Sequence, residues 1–248
     1  MAGIFIQKHV QSISTFKKVV VIYAQENESK GGYEVFNDCE YVFYYKKGIV
    51  SQLNYLIAFA KAFLFVKKKL GTPAVIHLQV AYPAGIVAVV VAFLYRIPLI
   101  LTEHWTGYMD ADGRYEKLSF LMKWFIKKSF SMAERISVVS TSLKQVIVEK
   151  KLSTPEKLVL VYNTLQSPSA ENIRRIDFES DDVKALTVAH LTDAHKNISL
   201  LINAVELVVK QYPNFKLTIV GGGPESEKFI ELAKTKNLLM SHIVFTGY

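Results

Sequence analysis

The 248 residues hold a single cysteine, Cys39. No disulfide can form within the chain, a Cys-based metal site has no ligands, and a reducing compartment fits. The opening Met-Ala-Gly-Ile-Phe-Ile-Gln-Lys-His has no basic leading region, no apolar run and no small-residue cleavage site, so no export signal is read there. Internal repeats and low-complexity tracts are also missing. So are a helix-turn-helix pattern, an RNA-binding aromatic motif and zinc-ligand spacing, and nucleic acid is not an expected partner. An unbroken apolar run of membrane-spanning length is missing as well. Leu70 to Tyr95 carries no Asp, Glu, Lys or Arg, but Gly71, Pro73, Gln79, Pro83 and Gly85 interrupt it. The pieces read as a buried strand over Ala74–Val80 and a helix from about Ala84 to Tyr95, which falls short of the roughly 20 residues a span needs. Arg96 and Pro98 end that helix before the next apolar run.

What the chain has is the makeup of a folded globular protein, 50% hydrophobic and 21% charged, long enough for one large domain or two small ones. Its net charge of +8 is unevenly placed. Residues 1–165 hold 21 Lys and Arg against 12 Asp and Glu, whereas residues 166–248 hold 9 against 10. Two parts of different electrostatic character follow.

Short runs rich in Val and Ile alternate with longer helical patterns, the signature of a parallel sheet covered by helices on both faces. Strands are predicted near Lys18–Ala24, Tyr41–Tyr45, Ala74–Leu78, Leu99–Thr102, Arg135–Val139 and Leu158–Tyr162. Helices are predicted at about Ile4–Ser14, Ser51–Lys69, Ala84–Tyr95, Tyr115–Phe130 and Ser142–Lys150. Residues 166–183 read as a linker, rich in Ser, Pro and Asn and then in mixed charge. After it the pattern restarts with strands at Ala185–Ala189, Lys216–Val220 and Ile243–Thr246, and helices at Ile198–Gln211 and Glu225–Lys236. The expected organisation is a domain over 1–165, the linker, and a partial second domain over 184–248, about half of an ordinary domain of 100–150 residues.

Four segments could carry chemistry. The run from Leu99 to Trp105 puts Glu103 and His104 at the carboxyl end of a predicted parallel strand, the edge where open α/β sheets bind ligands. His104 could exchange a proton or hydrogen bond near neutral pH; a partly buried histidine bonded to backbone fits the position as well. Gly221-Gly222-Gly223-Pro224 follows a strand and opens a helix, where glycines let amides approach a phosphate. It lacks the lysine of a P-loop, Glu225 and Glu227 would repel an anion, and a plain strand-to-helix turn is the better reading. His190, His195 and Lys196 form a basic loop after the second domain's first strand, either a pyrophosphate clamp or a solvated loop. Asp110-Ala111-Asp112 could hold a divalent cation, but acidic residues before a helix are favoured as caps, and no metal is expected.

The predicted helix Tyr115–Phe130 places Leu118, Leu121, Met122, Phe125 and Ile126 on one face. On the other lie Lys117, Lys123, Lys127 and Lys128, with Phe120 and Trp124 among them. Aromatics between lysines suit a lipid headgroup interface, and the charge asymmetry of the two domains points the same way. An ordinary amphipathic core helix is the alternative.

Taken in order along the chain, Gly3-Ile-Phe-Ile-Gln-Lys-His9, Ala81-Tyr-Pro-Ala-Gly85, Ile97-Pro-Leu-Ile-Leu-Thr-Glu-His104-Trp, Ile136-Ser-Val-Val-Ser140, Leu160-Val-Tyr-Asn163, Val188-Ala-His-Leu191 with Lys196-Asn, and Ile219-Val-Gly-Gly-Gly-Pro224 with Phe245-Thr-Gly247 form a set. This ordered set resembles the glycosyltransferase family 4 enzymes. The resemblance implies the GT-B fold, an α/β architecture in which two Rossmann-like domains with parallel sheets face each other across a cleft, the second incomplete in this chain. It also implies retaining transfer of a sugar, hexosyl in type, from a nucleotide diphosphate sugar, with no cofactor and no obligatory metal.

By the same resemblance Gly3 belongs to the glycine loop near the donor phosphates, and His104 is the histidine beside the reacting sugar, the catalytic position. Lys196 matches the lysine on the donor phosphate, and His190 stands where the family usually has arginine. A histidine offers no bidentate fork. The implied partners are the nucleotide sugar and a lipid-linked or glycan acceptor in cell-envelope glycan synthesis. The implied place is the cytoplasm, peripheral on the inner membrane face, with an anionic membrane surface as a further partner. The family's first strand has no counterpart before Met1, and the paired glutamates that hold the donor sugar have none before Tyr248. The chain therefore reads as a fragment of a longer enzyme, and the alternative function is a non-catalytic fragment or a basic module that binds an anionic surface, membrane or nucleic acid.

Overall fold

The computed structural model describes residues 4–28, 32–36, 39–48, 51–110, 112–163 and 182–248. The linker expected at 166–183 lies outside them except for Asp182 and Val183, and Gly3 lies outside them too. Two units separate between Leu165 and Gln166.

The N-terminal unit runs α1 (Ile4–Ser14), β1 (Val21–Glu26), β2 (Gly32–Phe36), β3 (Glu40–Tyr45), α2 (Ser51–Leu70), β4 (Ile76–Gln79), α3 (Gly85–Tyr95), β5 (Leu99–Glu103), α4 (Phe120–Met132), β6 (Arg135–Val138), α5 (Thr141–Glu149) and β7 (Leu158–Leu160). Its strands form two sheets, not the one continuous sheet expected. One has the order β1-β3-β2 and the other β4-β5-β6-β7. The second is parallel throughout, with Leu101 opposite Leu78 and Ile136. In the first, β1 runs parallel to β3, but β2 pairs antiparallel to it, with Tyr33 opposite Phe43. The sequence reading missed β2, a five-residue edge strand whose side chains are mostly exposed on both faces. Such a strand leaves no alternation of buried and polar positions to detect.

Helices bind the two sheets into one unit. Ala58, Ala62 and Val66 of α2 pack on Ala24, Tyr41 and Phe43. Phe63 of α2 joins Val91 and Ile97 in a cluster that also takes Ile22 from β1 and Ile76 from β4. The main core lies over the second sheet, where Ile126 and Phe130 of α4 and Ile147 of α5 meet Leu99, Leu101, Ile136 and Val138. Each such side chain, fully removed from water, contributes roughly 1.5–3 kcal/mol of transfer free energy. Helix α3 ends at Arg96, whose left-handed φ of 53° lets its amide and that of Ile97 close on the last turn before Pro98. Among the described residues no helix is long and apolar enough to cross a membrane.

Helix α4 begins at Phe120, not at Tyr115. The hydroxyl of Ser119 accepts from the Met122 amide as an N-cap, and residues 115–118 form turns before it.

The C-terminal unit runs β8 (Lys184–Val188), α6 (Asp193–Lys196), α7 (Ile198–Gln211), β9 (Lys216–Val220), α8 (Ser226–Thr235) and β10 (Ile243–Gly247). Its sheet, β10-β9-β8, is parallel. Ile198, Ile202 and Val205 of α7 and Phe229 and Ala233 of α8 cover Leu217, Ile219 and Ile243.

Candidate functional site

The carboxyl end of β5 is fixed by one carboxylate. Glu103 is completely buried. Its Oε2 accepts from the Ala81 amide and the Tyr108 hydroxyl, both at 3.0 Å, and its Oε1 accepts from the amides of His104 at 2.9 Å and Trp105 at 2.8 Å. Burial raises its carboxyl pKa, and the four donors offset only part of that rise. They also satisfy a group whose burial would otherwise be very costly. The clamp ties the loop after β4 to the turn after β5. In that first loop Val80, a β-branched residue, sits at φ 69°, a conformation sustained by its amide bond to the Thr102 carbonyl at 2.9 Å and by the Glu103 clamp on its neighbour.

The opposite face of the same sheet is polar. Side chains alternate along a strand, so His77 and Gln79 of β4, Thr102 and then His104 of β5, and Ser137 of β6 share one face, with Gln79 opposite Thr102 and Thr102 opposite Ser137. His104 Nε2 lies 3.2 Å from Gln79 Oε1. An amide oxygen only accepts, so Nε2 carries the proton and Nδ1 keeps the lone pair in the neutral ring. Gln79 Nε2 donates over 3.1 Å to His77 Nε2, which lies 2.7 Å from Thr102 Oγ1. His77 Nε2 is therefore an acceptor and the Thr102 hydroxyl donates to it. Ser137 Oγ, 2.6 Å from Thr102 Oγ1, donates in turn.

Both rings are held neutral. Burial lowers the His77 pKa to about 4, with His9 and His104 adding repulsion, and burial also lowers that of His104, with His9 adding to it. The His9 ring of α1 stands 5.7 Å from that of His104. What this edge offers a ligand is a hydrogen-bond acceptor at His104 Nδ1. The sequence reading singled out Glu103 and His104 but not His9, His77, Gln79, Thr102 or Ser137. Polar residues on otherwise apolar buried strands were the available signal.

The Asp110–Asp112 pair is committed elsewhere. Asp112 takes both the guanidinium of Arg114 and the Thr106 hydroxyl, and Asp110 pairs with Lys150 at 3.5 Å. Among the described residues no three metal-ligating side chains gather.

In the C-terminal unit, His190 and Lys196 are both exposed and flank the segment after β8. His190 Nδ1 lies 3.0 Å from the Tyr248 hydroxyl, which donates to the Gly222 carbonyl at 2.9 Å, so Nδ1 is the donor and Nε2 faces away from that bond. Lys196 ends the short helix α6, before Asn197 in the left-handed conformation, and among the described residues its ammonium has no partner. Asp193 anchors this segment by accepting from the Ser199 amide at 2.9 Å, the Ser199 hydroxyl at 2.6 Å and Lys228 at 3.1 Å. These bonds, those of Ser199 foremost, lower its pKa to about 2. Glu225, read from sequence as repelling an anion, accepts from the Asp193 amide at 2.7 Å and from Lys228 at 3.0 Å, and so locks the glycine turn to the basic loop. The glycines serve the same packing. A Cβ on Gly221 would lie 1.9 Å from the Ala189 carbonyl oxygen, and one on Gly223 would lie 2.5 Å from that of Leu191.

On α4, Phe120 is 85% exposed and Trp124 43%, and Lys117, Lys127 and Lys128 face water. Lys123 does not. Its ammonium donates to the Glu116 carbonyl at 3.0 Å and carboxylate at 3.3 Å, over the Tyr115 ring, so this lysine is withdrawn from the face assigned to it. Leu121, expected in the core, is 56% exposed. Ile126, Ser129 and Phe130 carry the buried face of the helix.

Comparison with known proteins adds to this geometry. No curated protein matches. Among solved structures, sucrose-phosphate synthase from Thermosynechococcus elongatus aligns at 16% identity over 99% of this chain and 65% of its own, with a TM-score of 0.64. A TarM variant from S. aureus, solved with fondaparinux, alpha-GlcNAc-glycerol and UDP, aligns at 17% identity over 79% of this chain and 37% of its own, TM-score 0.54. The pneumococcal O-GlcNAc transferase GtfA, solved with UDP and GlcNAc, aligns at 17% over 77% and 37%, TM-score 0.53. The chain thus spans between 37% and 65% of these proteins' lengths, and the likeness is one of GT-B fold. The family description Glycosyl transferases group 1 matches residues 169–248, and Glycosyltransferase Family 4 matches residues 18–165, more than half of the sequence. The chain belongs to glycosyltransferase family 4.

Proposed function

We propose that this chain works in transfer of a hexosyl group from a nucleotide diphosphate sugar to a lipid-linked or polysaccharide acceptor in cell-envelope glycan synthesis, with retention at the anomeric carbon. The observation that carries the reading is the neutral His104, presented at the carboxyl edge of β5 with its Nδ1 lone pair unused among the described residues and its backbone pinned by Glu103. Such a group accepts a hydrogen bond from a sugar hydroxyl and orients the sugar without adding a charge. Lys196, whose ammonium has no partner among the described residues, and His190 are the groups that would take up charge on the departing diphosphate, the role that preorganised donors play in transfer chemistry. In this reading those side chains serve where other enzymes use a metal ion. The solved relatives that hold UDP together with GlcNAc or alpha-GlcNAc-glycerol support a nucleotide diphosphate donor and a glycan acceptor.

The exposed Phe120 and Trp124 among lysines favour work at the inner face of an anionic membrane, where a lipid-linked acceptor resides. The test is release of nucleoside diphosphate when the purified chain is given a panel of nucleotide sugars with lipid-linked glycan acceptors. Transfer should depend on His104. Binding of a nucleotide sugar without release would reduce the chain to a binding module, and binding of neither donor nor acceptor would overturn the reading.

A further inference from the structure

A groove of about 290 Å³ opens on the N-terminal unit beside the loop that carries His104. Tyr45, Tyr55 and Tyr82 line it, with Glu26, Gln52 and Met122. The Tyr45 and Tyr55 rings meet edge to face at 5.7 Å, and the Tyr82 ring lies 6.0 Å from that of Trp105, the residue after His104. Among the described residues none of these three phenol oxygens has a hydrogen-bond partner. Burial, followed by the neighbouring phenols of Tyr45, Tyr23 and Tyr82, raises the pKa of Tyr55. Burial, followed by Glu26 and Tyr23, raises that of Tyr45. Both hydroxyls therefore stay protonated and able to donate. Glu26 accepts from the Ser51 hydroxyl at 3.3 Å and lies 3.6 Å from Lys47, so its carboxylate keeps lone pairs for further donors.

These features select one class of ligand. A hydrocarbon would bury the phenols, the Gln52 amide and the Glu26 carboxylate without partners, which costs more than its own burial returns. Among the described residues the groove lining holds no cation, and a diphosphate would meet the Glu26 charge there, with Lys47 paired to that carboxylate at 3.6 Å. A pyranose meets both demands, because its C–H face lies on aromatic rings while its hydroxyls both donate and accept.

We propose that this groove is a subsite for an uncharged pyranose ring of the acceptor glycan, with the Tyr55 and Tyr82 rings as its aromatic walls and their phenol hydroxyls, together with Glu26 and Gln52, bonding its hydroxyls. Binding of the ring stands on the groove alone; its role as acceptor rests on the transferase reading. The volume is close to the lower bound of about 300 Å³ for small-molecule sites, which suits one ring of a longer glycan held weakly by itself.

The five methionines make the test direct, since among the described residues Met122 is the one that lines the groove. With ¹³C-methyl methionine in the whole chain, methyl pyranosides of glucose, galactose, mannose and N-acetylglucosamine are titrated, with UDP as the anionic control. At least one pyranoside should shift the Met122 methyl saturably in the millimolar range, while the methyls of Met132 and Met240 stay in place. Glu26→Gln and the double change Tyr55→Phe with Tyr82→Phe, which keep the rings and the fold, should each weaken that binding at least several-fold. The proposal is overturned if no pyranoside moves Met122, if UDP moves it at lower concentration than any sugar, or if the shift survives both variants. Turnover is not read in this experiment. A sugar that binds in a chain that transfers nothing leaves the groove standing and removes only the word acceptor.

Discussion

Gln79 Oε1 and His104 Nε2 lie 3.2 Å apart across two neighbouring strands, and because an amide oxygen cannot donate, this contact sets the histidine's tautomer. Nitrogen NMR of the imidazole should show the proton on Nε2. Replacement Gln79→Leu should leave a mixture of tautomers, and Gln79→Glu should raise the His104 pKa by placing a carboxylate on the same nitrogen. Because the acceptor role needs the Nδ1 lone pair, turnover by the whole enzyme should fall as pH drops through the His104 pKa, and Gln79→Glu should move that limb to higher pH. An unchanged limb in Gln79→Glu would mean that the two groups do not communicate.

His77 makes the fold itself sensitive to acid. Its pKa is lowered to about 4 in the folded chain against about 6.5 when unfolded, so the unfolded state binds the extra proton first. The stability owed to the neutral ring is complete above pH 6.5 and is lost as pH falls toward 4, by up to about 3 kcal/mol. Urea unfolding at pH 7 and pH 4.5 should show this loss, and His77→Asn should flatten it. Equal slopes in both proteins would place the titration elsewhere.

The glycine turn gives a contrast within one unit. Gly221→Ala combines a φ of 134° with a collision at 1.9 Å from the Ala189 carbonyl, and Gly223→Ala collides with that of Leu191 at 2.5 Å. Gly247→Ala meets nothing within 4 Å and bears only the strain of its φ of 73°. The first two should cost about 3 kcal/mol or more and the third about 1 kcal/mol. Calorimetric melting of the three variants checks the order. A mild Gly221→Ala would mean that β8 and β9 can separate at this turn.

How far the sequence carries the fold depends on what each element buries. Strands such as Leu99–Glu103 and Arg135–Val138 are legible because their apolar side chains are buried against α4 and α5. Strand β2 is not, because it buries almost nothing. The amphipathic pattern of α4 extends back to Tyr115, and only the Ser119 cap, with Lys123 turned back to Glu116, shows where the helix stops. His104 is visible by its position after a strand. Its partners become visible only with the register, since nothing local says that Gln79 stands opposite Thr102 or that Glu103 reaches back to the Ala81 amide.

Lys196 is the exposed cation nearest in sequence to the Asp193 anchor, and nothing among the described residues competes for it. In the whole enzyme Lys196→Ala should weaken nucleotide-sugar binding by roughly ten- to a hundredfold, the range of a charge-assisted hydrogen bond. His104→Ala should lower turnover with far less effect on that affinity. Calorimetry with equal affinity for wild type and Lys196→Ala would remove the lysine from the donor site.

The face of α4 has become both stronger and weaker as a membrane contact. Phe120 and Trp124 present their rings to water, as insertion requires, and Lys128 lies 5.6 Å over the Trp124 ring. Lys123, however, is held by Glu116, which leaves Lys117, Lys127 and Lys128. At about 1 kcal/mol for each lysine near an anionic surface, three of them with two inserting aromatics still exceed a modest ordering cost. The chain should therefore bind vesicles containing phosphatidylglycerol, pass over vesicles of phosphatidylcholine alone, and be released as salt is raised. The double change Phe120→Ser with Trp124→Ser should reduce binding while leaving the melting temperature nearly unchanged, because neither ring belongs to the core. Lys127→Ala with Lys128→Ala should weaken binding and flatten its salt dependence, whereas Lys123→Ala should have little effect on vesicles, its charge being already engaged. If Lys123→Ala weakened binding as much as the Lys127 and Lys128 pair, the Glu116 contact would have to open at the membrane. Binding indifferent to both salt and the aromatic pair would exclude this face.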